Sequence, residues 1–550
     1  MQPPAPPVNR SRYLEWLAFA ALLIAEFLLF DQVGAKHYTW IYPRWNDQIQ
    51  YLAEAYTGFE YSRAHGFAAG LWHSLVDPTA QGTLHDFWAL LVFQVAGPSR
   101  SAALAVNMLS FLAWQASLFF AVRRVFGSRA LAWTGAGLLL ALTSPWAGVQ
   151  GSTIDFRLDW LAASAMGVTL ATALLTEGFR HRGWAVAFGA AVGVTLLTRF
   201  LTGTYFVLIF AALLAWTLAG SQRGRRTGNL IIAAAAAFII AGPLMWLSRA
   251  EIVNYYGMGH FTGPESAIRN QNWGIWRSTV WLEESLAHDH LGRPWLWTVG
   301  LATLTLVVMV CWPRKKRPGS PPETSAGWFL AATFLAAPAL VLVLHAQKSW
   351  VVVGILLPGA VLLVLAAWHA LGARLPPWTR TALAVLSLGL GGTHFAQRML
   401  ANPHSPEFLA DARKVAQLAD RIFETSRAMG LPTPVVSTDR ITDCLDGQVM
   451  RVVCYERRHV WVPFRMSLPI SIAEAPEAEI MQHLAQSDFM FLTEESSPTG
   501  YPYDRQMQAL YPRLRVWCDA HLSLVERFEI FGRRLALYQR SGFTMPPARR

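Results

Sequence analysis

The segment Arg44-Trp45-Asn46-Asp47-Gln48-Ile49-Gln50-Tyr51 follows the first long apolar run by about one loop, which sets a carboxylate beside a bilayer surface. A carboxylate held there can take the proton of a hydroxyl that attacks a lipid-borne substrate. Taken alone, Asp47 is better explained as a helix cap, because Asp is a favoured N-cap residue. A second acidic site, Ser152-Thr153-Ile154-Asp155-Phe156-Arg157-Leu158-Asp159-Trp160, spaces Asp155 and Asp159 four residues apart. A helix would present both on one face, with Arg157 turned away. Paired carboxylates at a membrane boundary require a cation, a proton or a cationic partner, the competing reading being a helix start enriched in acids. A cation held by Asp47, Asp155 and Asp159 would be oxygen-ligated, hence magnesium, manganese or calcium in character.

The elements that carry these residues are membrane helices. Of 550 residues, 53% are hydrophobic and only 15% charged, and the mean hydropathy is +0.29. A soluble globule cannot present such a composition to water, so the chain reads as a polytopic α-helical membrane protein. Apolar runs predict about eleven spans, at 13–30, 101–121, 130–147, 158–176, 183–199, 203–219, 229–247, 295–312, 326–345, 349–368 and 380–396. With a cytoplasmic N-terminus, the inside turns collect Arg10 and Arg12, Arg123, Arg124 and Arg129, Arg180 and Arg182, Arg223, Arg225 and Arg226, Arg314 to Arg317, and Arg374 and Arg380. The only acids there are Glu177 and Glu323. This is the positive-inside pattern, and it accounts for much of the net charge of +11. Nucleic-acid binding would need a basic face on a soluble domain, and the sequence offers none. The first run has the basic flank of a signal peptide but no small-residue cleavage site, so it reads as a retained anchor, with Glu15 at the inner interface and Glu26 facing the protein interior or the outer surface.

This topology puts loops 31–100 and 248–294, and everything beyond about residue 397, on the outer side. Residues 1–400 form the membrane domain and 401–550 a water-soluble one, marked by a rise in charge near Asn402. Ile49, Leu52, Ala53 and Tyr56 recur at helical spacing and suit a helix lying along the membrane surface. The outer cations are Arg199, Arg269, Arg277, Arg293 and Lys348. Lys348 and Arg199 lie near membrane depth, where a bound anion would explain them, as would snorkelling to headgroups. The loop from Tyr255 and Tyr256 through His260 to Glu265 has glycines that suit either a mobile cover or an irregular connector. His288-Asp289-His290 offers metal ligands, but adjacent side chains rarely converge on one ion, and a solvated loop is the simpler reading. In the tail, helices over 405–429 and 476–485 alternate with strands over 433–437, 460–463, 489–493 and 533–538, which predicts a small α/β domain without a phosphate loop or nucleophile motif. Its expected role is to cover the membrane site or to grip the acceptor. Cys444 with Cys454 is the natural pair in an oxidising compartment, with Cys518 left over, so a reduced state fits too.

Over roughly the first 220 residues the chain resembles the GT-C membrane glycosyltransferases, in particular the protein-mannosyltransferase-like and aminoarabinose-transferase-like branch that draws sugars from polyprenyl phosphates. The likeness rests on Asp47-Gln48-Ile49-Gln50-Tyr51, on Gly82-Thr83-Leu84-His85-Asp86-Phe87-Trp88 to Gly97-Pro98-Ser99, on Val122-Arg123-Arg124-Val125-Phe126-Gly127, on Thr143-Ser144-Pro145 and on Asp155 to Asp159. His345-Ala346-Gln347-Lys348-Ser349-Trp350 ahead of Leu357-Pro358 is similar to the family's basic and aromatic element before a Leu-Pro, and the resemblance implies that Lys348 meets the lipid phosphate. Two departures stand out: Gln48 replaces a second acid, and Asp86-Phe87 replaces two prolines after His85.

Transfer from such a donor needs a base for the acceptor hydroxyl, cations for the departing phosphate and a greasy groove for the lipid tail. Asp47 is the expected base of a single inverting displacement, unlike glycoside hydrolysis with its two cooperating carboxylates. Lys348, Arg199 and Arg269 are the expected phosphate ligands, and Gln48, Tyr51, His85, Tyr255, Tyr256 and His260 the expected substrate contacts. The expected partners are a polyprenyl-phosphate sugar, the bilayer of a bacterial inner membrane with the C-terminal domain in the periplasm, and an acceptor lipid, glycan or protein. The nearest rival is a ligase moving a lipid-linked glycan. A transporter or flippase of lipid-linked sugars is the rival from another class, but no repeat relates the two halves.

Overall fold

The structure is a computed structural model, described over residues 10–39, 46–146, 151–262, 266, 270–292, 295, 298–300, 302, 304, 323–372, 376–401, 404–439, 445, 447–461, 476–494 and 505–541. The membrane domain is helical: α1 Arg10–His37, α2 Asn46–His65, α3 Phe67–Val76, α4 Leu84–Ala96, α5 Arg100–Val125, α6 Arg129–Leu140, α7 Leu158–Leu175, α8 Arg182–Thr198, α9 Thr202–Ala219 and α10 Arg223–Leu247. A short α11 (Arg249–Ile252) runs into a π-helical stretch, Val253–Thr262, before α12 (Ile275–Ser285), α13 (Glu323–Leu344), a 3-10 turn Trp350–Leu356 leading into α14 (Leu357–Gly372), and α15 (Pro377–Leu400). Each expected span coincides with a helix except 295–312, most of which lies outside the described residues. Among the described residues seven helices are long and apolar enough to cross a membrane: α1 from Tyr13, α5, α7, α9, α10, α13 from Ala326, and Trp350–Gly372. The run 130–147 is interrupted, because α6 stops at Leu140 and gives way to a turn.

Long aromatic and aliphatic side chains fill the centre of this bundle, where α5 packs on α7, α7 on α8 and α8 on α10. Small residues allow the close crossings. A side chain at Gly137 would meet the backbone of Ser387, and one at Gly391 the carbonyl of Gly137, so α6 and α15 touch almost backbone to backbone. Polar pairs tie the first helix to the rest. Glu15 lies between Arg123 and Arg129, at 3.5 and 3.2 Å, and Gln115 of α5 donates to Glu26 at 2.7 Å, so Glu26 faces the protein interior.

The C-terminal part is an α/β unit: α16 (Pro406–Ala428), β1 (Val436–Thr438), α17 (Gly447–Arg458), α18 (Glu477–Leu484), β2 (Phe489–Thr493), α19 (Arg505–His521), β3 (Leu522–Ile530) and β4 (Arg533–Arg540). Its four strands run in the order β1-β2-β4-β3, with β1 parallel to β2 and the rest antiparallel. Ser405 caps α16 by accepting from the Phe408 amide, with Pro406 in the first turn. Pro476 precedes α18 as its N-cap, one position earlier than its expected place inside the helix. Residues 460–461 are not a strand, and 462–463 lie outside the described residues. Cys454 and Cys518 are buried free thiols, and burial pushes each up to about 12; Cys444, the expected partner of Cys454, lies outside the described residues.

Two backbone hydrogen bonds join segments far apart in the chain. The Thr83 amide donates to the Leu197 carbonyl at 2.9 Å and the Phe200 amide to the Gln81 carbonyl at 2.8 Å, which stitches the segment before α4 to the turn between α8 and α9. Gly82 sits in this seam, and a Cβ there would collide with the Thr198 carbonyl. We expect Gly82→Ala to cost roughly 1–3 kcal/mol through overpacking and backbone strain. Thermal unfolding in detergent checks this, and a melting temperature equal to wild type would contradict so tight a seam.

Candidate active site

Asp47 sits in the first turn of α2, where a carboxylate complements the helix dipole. Its carboxylate accepts from Arg157 Nη1 at 3.1 Å. The same guanidinium reaches Asp155 through Nε at 3.0 Å, so Arg157 bridges the two carboxylates. This corrects the expected placement, in which one helix face carried Asp155 and Asp159 with Arg157 turned away. The helix begins only at Leu158, with Arg157 its extended N-cap, so Asp155 lies in the preceding turn and helical spacing does not apply. Asp159 points elsewhere, into a short ion pair with Arg199.

Asp155 is the most heavily supported of the three. Gln48 Nε2 donates to its Oδ1 at 2.6 Å, the Gly151 amide donates to Oδ2, and Asn107 Nδ2 of α5 holds its backbone carbonyl at 2.7 Å. Burial pushes its carboxyl up, and Arg157, Gly151, Gln48 and Arg100 pull against that. Gln48 in turn accepts from Arg100 Nη2 at 2.6 Å. The result is a continuous polar chain, Asp47–Arg157–Asp155–Gln48–Arg100, in which donors and acceptors alternate. Asp47 is its accessible end: its side chain is 50% exposed, against 5% for both Arg157 and Asp155.

The chain also gives a physical reason for Gln48, the residue that departs from the resembled pattern. An amide can donate to Asp155 and accept from Arg100 at once, whereas a carboxylate would face another carboxylate in a dry site.

Tyr51, one turn further along α2, donates to Gln81 and stands edge-on to His85, their rings 5.4 Å apart. Burial, and after it the charge of Asp47, hold its hydroxyl well above the ordinary range, so it remains a donor. His85 is buried against Phe156 at 3.9 Å, and burial pushes it down to about 3. It is therefore a neutral ring, and neither nitrogen makes a hydrogen bond among the described residues.

Arg199 projects from the end of α8, stitched to Gln81 by the seam at Gly82. Its charge acts on Tyr51, Tyr205 and Tyr256, so all of these face one polar spot. Its Nε–H makes no hydrogen bond among the described residues. Tyr255, Tyr256 and His260 come together in the π-helical stretch, with ring centroids 4.9 to 5.4 Å apart. Asn270 donates to the His260 carbonyl at 3.2 Å and pairs with Gln347, which brings this stretch to the loop after α13.

Lys348, for which the resemblance implied contact with the lipid phosphate, stands in that loop. Its Nζ donates to the carbonyls of Leu342, Val343 and His345 at 3.0, 2.9 and 2.6 Å, so it caps the end of α13, and burial pushes it down. An ammonium has three donors, and all three are engaged. Arg269 and Arg293 lie outside the described residues. His290, expected in a solvated loop, is buried and bonds the Trp350 carbonyl at 2.8 Å. Among the described residues no group of three or more His, Cys, Asp or Glu side chains is placed to hold a metal ion.

The sequence reading missed Arg100, Asn107 and Gln81. Arg100 carried a signal, since it opens a span at the end where the charge pattern leaves arginines scarce. Asn107 and Gln81 carried none that spacing could reveal.

No family model and no curated protein matches the chain. Two solved structures share its architecture over nearly its whole length. ArnT from Cupriavidus metallidurans bound to undecaprenyl phosphate is 16% identical with a TM-score of 0.59, covering 98% of this chain and 100% of that one. The same protein in the apo state is 15% identical with a TM-score of 0.57, covering 95% and 98%. The chain therefore has an ArnT-like fold.

A Gln48→Glu variant tests the polar chain. Two facing buried carboxylates share a proton, so one folded-state pKa rises above the unfolded value of about 4.3. The raised group then costs nothing below that value and an increasing amount as pH climbs toward the folded pKa. The melting-temperature deficit against wild type should widen from about pH 5 to about pH 8. A deficit that stays constant would contradict the contact.

Proposed function

We propose that this protein is an integral membrane glycosyltransferase that moves a sugar from a polyprenyl-phosphate donor to an acceptor hydroxyl, inverting the anomeric carbon, with Asp47 as the base. The observation that carries this reading is Asp47 itself: a carboxylate aimed by Arg157 yet half-exposed, at the open end of a buried polar chain. An aimed and accessible carboxylate is what proton abstraction from a bound hydroxyl requires. The undecaprenyl phosphate in the ArnT structure of the same fold supports a lipid-linked donor.

Arg199 is the proposed phosphate ligand. It has a donor to offer, and its charge and that of Asp47 are both felt at Tyr51. Charge stabilisation of the departing phosphate by a guanidinium suits a leaving group that departs without a protonating acid. Tyr255 and His260 are the proposed contacts to the donor's head. The carboxylates that could have held a divalent cation are each paired with arginine, so arginines supply the positive charge in this reading. The proposed setting is a bacterial inner membrane, with the site and the C-terminal domain on the periplasmic side.

Asp47→Asn should lower the rate of transfer by about 10²–10⁴-fold, the usual contribution of a positioned base. A panel of labelled polyprenyl-phosphate sugars, presented to purified wild type and variant in detergent, reads this directly. Wild-type turnover by Asp47→Asn would remove Asp47 as base. Arg199→Gln should raise KM for the donor more than it lowers kcat, and chelation with EDTA should leave transfer unchanged. Loss of activity on chelation, restored by magnesium, manganese or calcium, would move the charge stabilisation from arginine to a metal.

A further inference from the structure

The far end of α2 is gripped by the C-terminal unit. Tyr455 of α17 donates to Glu60 at 2.6 Å, Arg451 donates to Thr57 at 2.9 Å, and Tyr56 donates to Glu456 in a short hydrogen bond. Tyr56 is fully buried, its ring 4.8 Å from Tyr455 and 5.5 Å from Phe93 of α4. Its apolar neighbours Ile49, Leu52 and Ala53, expected to face lipid, are buried in protein as well. The helix α17 is itself anchored: Arg457 and Arg458 bind Asp420 of α16 at 2.9 and 3.1 Å, and Arg458 binds Glu424 at 2.8 Å.

We infer that the C-terminal unit sets the orientation of the helix that carries Asp47 and Gln48, with Tyr455, Glu456 and Arg451 as positioning residues. This rests on the proposed function. The span from Asp47 to Tyr56 is nine residues, about 13 Å of a stiff helix, so a rotation at Tyr56 reaches Asp47 undamped. Among the described residues one arginine contact holds Asp47 at the other end, and catalysis is sensitive to small errors in aim. Three side-chain hydrogen bonds, to Tyr56, Thr57 and Glu60 within about one turn, fix both the height and the rotation of α2. An acceptor-gripping role alone would leave these groups free to face solvent, whereas here they face α2.

The test uses full-length protein carrying Tyr455→Phe or Tyr56→Phe, each of which deletes a hydrogen bond and keeps the shape of the side chain. Hydrogen exchange of peptides covering α2 should quicken. With the lipid-linked sugar that wild type turns over, kcat should fall about 3- to 10-fold, the loss expected for one hydrogen bond, while the donor KM stays put. Pairing Tyr455→Phe with Glu60→Leu, which removes the acceptor, should lower kcat no further than either change alone. Unchanged exchange in α2, or multiplied losses in the double variant, would overturn the grip. Faster exchange with wild-type kcat would overturn its link to turnover. The exchange measurement needs no substrate, so it stands apart from the role of Asp47: an active Asp47→Asn protein would sink the base, and unaltered exchange would sink the positioning.

Discussion

A single guanidinium holds the site together. Arg157 is almost wholly buried and would be costly there without two carboxylates to meet it. Asp155 neutralises it from the side of the protein, and Asp47 meets it from the side of the open cleft. Because Asp155 is also bound by Gln48, by the Gly151 amide and through its carbonyl by Asn107, one arginine locks the turn before α7, the first turn of α2 and the middle of α5 into a common frame. Removing it would strand a buried carboxylate and release Asp47 from its aim.

The second ion pair repeats the logic a short way off. Asp159 begins α7 and Arg199 ends α8, so their contact joins the heads of two packed helices. Backbone hydrogen bonds across Gly82 then bring Gln81, and with it Tyr51, to the same place. Four segments far apart in sequence converge because each ends at the same end of the bundle. The apolar bodies of the helices supply the burial, and their polar ends supply the chemistry.

Much of this was legible in the sequence. Apolar runs located the helices, since membrane spans carry the strongest one-dimensional signal a chain has. The resemblance agrees with the ArnT-like fold, and the place of Asp47 one loop beyond a span marked it for the role proposed. The misses have physical causes. Asp155 and Asp159 looked like one helical face because the start of α7 at Leu158 cannot be read from spacing. Nothing in the sequence shows the three carbonyls at the end of α13 that turn toward Lys348. The strand β3 was overlooked because Glu526, Arg527 and Glu529 blur its alternation, and α19 because Pro512 lies within it. The grip of α17 on α2 joins residues nearly 400 positions apart and has no local signature.

In the proposed reading Arg199 holds the donor phosphate and Asp47 is the base, while Lys348 stays with the end of α13. A structure determined by electron microscopy with polyprenyl phosphate bound would test this most directly. The expected result is a phosphate oxygen within hydrogen-bonding distance of Arg199, the Arg157 bridge intact and Lys348 still on its three carbonyls. A phosphate seated on Lys348, or one held away from the cluster around Asp47, would contradict it.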